Sequence, residues 1–170
     1  WQIRRAAMKK PAVVYGVISG SIAIVGIVAT IVFDVAYQWL GYLIMLISFT
    51  AIYIAMRRFR EEIQGGVLRF ATGLQFGIFI TLIASLVYTA GWELYLFLTD
   101  YSFVGAYIDS VIEAQQVAGV DEAEIEELTQ DMEILRDRYG NILFRSALSL
   151  VEIFPVGLLI SLLSASLLRK

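Results

Sequence analysis

From Phe70 to Leu98 the chain runs through 29 residues of which only Glu93 carries a charge. A segment this long and this apolar is long enough to cross a bilayer, and in hydrocarbon its amides must be satisfied within the segment, which for a single run means a helix. Inside it Gly73, Gly77, Thr81, Ser85, Thr89 and Glu93 recur at every fourth residue. Small residues let helix backbones approach in lipid, so the run reads as a spanning helix with a small, polar seam. Four residues advance roughly 400° at 3.6 per turn, a drift of ~40° per step and ~200° over five steps. The glycine end is therefore expected to serve one neighbouring helix and the Thr89 to Glu93 end another.

Three further runs share this character. Residues 12–33 are uncharged and apolar, about 33 Å of helix at ~1.5 Å per residue, against a hydrocarbon core of ~30 Å. Pro11 is expected in the first turn, where its missing amide costs nothing. The run exceeds the h-region of a signal peptide and lacks a clear small-x-small cleavage site, so it reads as a retained span. Residues 1–7 precede Met8, Lys9 and Lys10, which look like a bacterial start, and are expected to be upstream or added sequence. Residues 40–56 form the second run and, after Asp34 to Trp39, a hairpin with the first. Residues 142–168 form the fourth, closed by Arg169 and Lys170, with Pro155 expected to kink it. Residues 8–98 thus hold three spans and 142–170 the fourth. The expected fold class is all-α, a polytopic membrane protein with four transmembrane helices.

Between the third and fourth runs, residues 99–141 carry eleven acidic side chains and only Arg136 and Arg138 as basic ones. Val104, Ile108, Val111 and Ile112 share one helical face, Gly119 interrupts, and Asp121 can cap a second helix striped by Ile125, Leu128, Met132, Leu135 and Tyr139. This is an extramembrane helical hairpin, with Gly140 and Asn141 expected to cap the end of its second helix. Ten of the thirteen Lys and Arg residues lie in the N-terminal segment, the connection between runs two and three, and the C-terminus. By the positive-inside rule the termini are cytoplasmic and residues 99–141 extracytoplasmic, with Tyr37, Trp39, Trp92, Tyr95 and Tyr101 forming an outer aromatic belt. The expected location is a bacterial inner membrane.

The sequence contains no Cys and no His, which removes thiolate nucleophiles, imidazole bases and Cys/His metal sites. No catalytic, cofactor or metal site is expected, and the chain reads as a non-enzyme. Gly65 and Gly66 are followed by no Lys-Ser or Lys-Thr pair and make no phosphate loop.

Tyr15 to Gly20, Phe76 to Tyr88 with Thr81 to Ser85, and above all Glu152 to Ser164 resemble an uncharacterised bacterial membrane family, domain of unknown function 4199, over Met8 to Lys170. The resemblance implies four spans, an acidic outer hairpin and no established activity. It brings no functional residues.

Two constellations remain as candidates. Gly16 and Gly20 in the first run, Gly73 and Gly77 in the third, and Gly157, Ser161 and Ala165 in the fourth are packing residues, either within one bundle or across a homodimer. The ionisable set is Asp34, Glu93, Arg145 and Glu152. Arg145, Ser149 and Glu152 are spaced by four and three, which places Ser149 to bridge the two charges. An intramembrane carboxylate normally faces protein or water, so Glu152 with Glu93 forms either an outward-facing proton or cation site or a structural set with Arg145. The hairpin offers a docking surface or a weak divalent-cation surface, without EF-hand spacing, and its acidity disfavours nucleic acid. The expected partners are the lipid bilayer and a membrane protein or second copy. The expected role is a structural or accessory component, with a small proton- or cation-coupled transporter or channel subunit as the alternative.

Overall fold

The computed structural model describes the backbone of residues 2–33, 35 and 38–169, and the side chains of these apart from 2–8 and 38. Asp34 and Tyr37 lie outside the described residues. Among those described, the chain is all-helical: α1 (Gln2–Val32), α2 (Gln38–Arg58), a π-helical turn (Phe59–Ile63), α3 (Phe70–Leu98), α4 (Ser102–Val117), α5 (Glu122–Tyr139) and α6 (Ile142–Leu168). Four helices are long and apolar enough to cross a membrane, over Lys9–Val32, Trp39–Ile63, Phe70–Leu98 and Ile142–Leu168. Their outward faces carry large apolar side chains such as Val25, Leu46, Leu86 and Leu167, an arrangement suited to lipid rather than water.

Two boundaries differ from expectation. α1 begins at Gln2, so Pro11 lies inside the helix instead of in its first turn. Pro11, nine residues into α1, removes one amide donor, and the helix runs on through it. The second span runs on past residue 56 because Phe59, amid charged neighbours, is itself a core residue at 1% exposure, its ring stacked 4.5 Å from that of Phe76. The π turn carries the chain there. On its outer side Arg57 and Arg60 both reach Glu61 at 3.1 Å, and Gly65 and Gly66 then adopt positive φ, ending the helix.

The chain forms two compact units, Trp1–Gly91 with Ser149–Lys170, and Trp92–Leu148. In the first, α3 is the shared neighbour. A Cβ on Gly16 would lie 2.6 Å from Ile83 Cβ, and one on Gly20 would lie 2.5 Å from the Ala84 carbonyl, so α1 meets α3 with its backbone. Against α6, Gly73 meets Ala165, Gly77 meets Ser161, and Gly157 meets Thr81: each step of four on α3 is answered by a step of four back on α6. Thr81 Oγ1 and Ser161 Oγ lie 3.2 Å apart, within hydrogen-bond reach of each other and each of a carbonyl one turn back in its own helix, so that two hydroxyl hydrogens serve these three contacts in turn. Ser19 Oγ donates to the Ser48 carbonyl at 2.8 Å and ties α1 to α2. These seams are filled by helices of the same chain.

Gly41 is the counter-case. The nearest atom to a Cβ there is the tip of Ile27 at 3.5 Å, ordinary contact. Gly41→Ala is expected to be neutral to stabilising by up to about 1 kcal/mol, because alanine loses less backbone freedom in a helix. Thermal unfolding in detergent checks this.

In the second unit α4 and α5 form the hairpin. Asp121 accepts from the Glu122 amide and caps α5, and Gly119 at φ +75° makes the turn. Ile108 is buried, and Val104, Val111, Ile112, Ile125, Leu128, Met132, Leu135 and Tyr139 are half-buried. Gly140 is the C-cap of α5, in a right-handed conformation, its amide donating to the Arg136 carbonyl at 3.1 Å. Asn141 instead caps the start of α6, its Oδ1 accepting from the Leu143 amide at 2.8 Å, because a short polar side chain serves the free amides of a first turn.

Candidate functional site

The second unit is built around Arg145, which enters in the first turn of α6 and is 5% exposed. Its Nε donates to Glu93 Oε1 and Oε2 at 2.9 and 3.0 Å, and Nη2 to Oε2 at 2.7 Å. Nη1 donates to the carbonyls of Tyr139 and Gly140 at 3.0 and 3.1 Å. The Tyr101 ring lies over the guanidinium, 5.0 Å from Cζ to centroid. A fork-shaped cation is suited to this work: it neutralises a buried carboxylate, satisfies the carbonyls at the end of α5, where the helix dipole favours a cation, and leaves one face for an aromatic ring.

This pairing corrects two expectations. Glu93, expected beside Glu152 or at the interface, is taken by Arg145. And both ends of α3 face α6, since Gly73 meets Ala165 and Glu93 meets Arg145. Glycines must touch backbone to backbone, whereas Glu and Arg reach across a gap with their own length, so side-chain reach absorbs the drift of a four-residue repeat. Between these ends, the hydroxyls of Ser85 and Thr89 are buried with no partner among the described residues.

The other expected site residues fall apart from one another. Ser149 is buried at 5%, in line with Ile153 at 0% on the face of α6 that packs. Glu152 lies three residues on, about 60° off that direction at ~100° per residue. It is exposed, beside Val151 at 69%, and makes no hydrogen bond or ion pair among the described residues. Trp92, assigned to an outer belt, is 7% exposed. Its indole donates to the Tyr139 hydroxyl at 2.8 Å, and its ring packs on Tyr95 and Phe103, because a large amphipathic ring is more useful where one end is buried and the polar tip finds an acceptor. Trp39 does stay exposed, at 61%.

Beside Arg145 opens a cleft of about 610 Å³, lined by Tyr101, Ser102, Val104, Gly105, Arg136, Tyr139, Gly140 and Arg145. That is the size of a small-molecule site. Tyr101, in its lining, and the preceding Asp100 take φ of 57° and 49°, a left-handed conformation that costs non-glycine residues about 1–3 kcal/mol each and is tolerated where the surroundings over-determine it. Here the turn from α3 into α4 and the seat of Tyr101 on Arg145 do so. None of this cleft is evident from periodicity. One signal existed, the odd sign of Arg136 in an acidic stretch. Among the described residues no three acidic side chains group to hold a metal ion.

No curated protein and no solved structure matches the chain significantly. A family model described as a protein of unknown function, DUF4199, matches residues 14–170, and the chain belongs to that family.

Proposed function

We propose that the chain is a structural or accessory subunit of a bacterial cytoplasmic membrane, held to a partner membrane protein through α6 and presenting its acidic hairpin outside, with both termini in the cytoplasm. The orientation rests on the ten Lys and Arg at the termini and the α2 to α3 connection against three on the hairpin side. The observation that carries the partner reading is Glu152. A carboxylate on the exposed face of a span, flanked by Leu148, Val151 and Leu159 at 45%, 69% and 60% exposure, is costly in lipid and is relieved by a neighbouring helix that brings a donor. A twofold contact centred there would bring two like carboxylates together, which favours a different protein over a second copy. Transport through Glu93 and Glu152 is less well supported, because the Glu93 charge is already met by Arg145.

A photo-crosslinker at Val151 in native membranes is expected to give one discrete protein adduct, and Glu152→Leu to reduce it roughly tenfold, equivalent to ~1.4 kcal/mol of binding. The bundle should stay intact, since Glu152 makes no hydrogen bond or ion pair among the described residues. An adduct at twice the chain mass would replace the partner by a second copy. Lipid adducts alone would remove the reading.

A further inference from the structure

We propose that the cleft beside Arg145 is a binding site for a phosphate-bearing anion, the headgroup of an anionic phospholipid or a soluble phosphoester of the same chemistry. Residues 99–141 hold eleven acidic side chains, yet none lines the cleft, while Arg136 and Arg145 both do. The charged side chains that line this concavity are both cationic.

The two arginines have different duties. Arg145 is engaged by Glu93, so its charge is met inside the protein. Arg136 makes no ion pair and no hydrogen bond among the described residues, and it is exposed. Its guanidinium lies against Gly105: a Cβ there would stand 3.2 Å from Nη2. The absent side chain lets a planar, bidentate donor rest beside the first turn of α4, the geometry that suits phosphate oxygens.

The remaining wall agrees in sign. α4 has no side-chain cap, so the amides of its first turn lack a side-chain acceptor, and Ser102 of that turn also lines the cleft. Depth also fits. The apolar spans end at Leu98 and begin again at Ile142, and the cleft residues Tyr101 and Gly140 fall just beyond those ends, at the level of headgroups. Only this last point depends on the membrane reading, and none depends on a partner at Glu152.

The test uses the full chain in nanodiscs of phosphatidylcholine, alone or with phosphatidylglycerol, followed by thermal unfolding and native mass spectrometry. Phosphatidylglycerol is expected to raise the unfolding temperature and to remain bound. Arg136→Gln should weaken its retention at least tenfold, Arg136→Lys less, and Arg138→Gln, which lies outside the cleft lining, not measurably. Gly105→Val, which fills the space that the guanidinium occupies, should weaken retention as well. Circular dichroism verifies that each variant keeps its helices. Glycerol phosphate added to phosphatidylcholine discs is the soluble arm: protection there that Arg136→Gln abolishes assigns the site to a soluble phosphoester, and protection by phosphatidylglycerol alone assigns it to lipid. Equal losses in Arg136→Gln and Arg138→Gln would mean diffuse attraction and overturn the proposal, as would the absence of binding by either probe.

Discussion

Arg145→Gln is expected to be the most damaging substitution of a polar residue in the chain, at about 3–5 kcal/mol, because removing one partner of a buried ion pair strands the other charge. The side chains are 5% and 17% exposed, so little solvent remains to take over the role of the lost partner. Two carbonyls, those of Tyr139 and Gly140, lose their donor as well, so the loss should exceed that of Glu93→Gln. Denaturant unfolding in mixed micelles measures the total. Hydrogen exchange locates it: amides of α4 and α5 should lose protection while those of α1 and α2 do not, since Arg145 and its partners belong to the Trp92–Leu148 unit. The double variant Glu93→Leu with Arg145→Met should recover most of the loss, as apolar replacement of a whole buried pair often does. If the double variant falls as far as Arg145→Gln, the pair is not what holds this unit.

Gly20→Val is expected to break the α1 to α3 contact. A Cβ alone would stand 2.5 Å from the Ala84 carbonyl oxygen and 2.8 Å from Val87 Cβ, and the first of these is backbone that cannot rotate aside. Overpacking a tight interior costs typically about 1–3 kcal/mol, and two added methyls put Val at the upper end or beyond. Gly157→Ala meets a side-chain atom, Thr81 Cγ2, at 2.5 Å and should cost less than a clash with backbone. With Gly41→Ala the series forms an ordered scale, falling in thermal stability as the obstructing atom changes from none to side chain to backbone. An unordered series would show that these glycines are not packing contacts.

The family itself records no activity, so residue chemistry alone must carry a functional reading. Glu93 and Glu152 looked alike in sequence, two carboxylates near the ends of apolar runs. In the structure Glu93 is half-buried against a cation, whereas Glu152 stands exposed on its helix.

Spans, hairpin and seam residues were legible in the sequence because they are local. Twenty-odd apolar residues must form a helix in hydrocarbon whatever surrounds them, and a stripe at steps of three and four marks a buried face before its partner is known. Gly16, Gly20, Gly73, Gly77, Gly157, Ser161 and Ala165 announced close approach by size alone. Which helices approach was not written there. Glu93 and Arg145 lie 52 residues apart, and nothing within one helix distinguishes an arginine that will bridge to Glu152 from one that will reach across to Glu93. The charge that Arg145 meets, the burial of Trp92, the exposure of Glu152 and the cleft that Arg136 lines all depend on which faces the packed helices cover. Composition sets what each segment can become, and only packing decides which polar groups find one another.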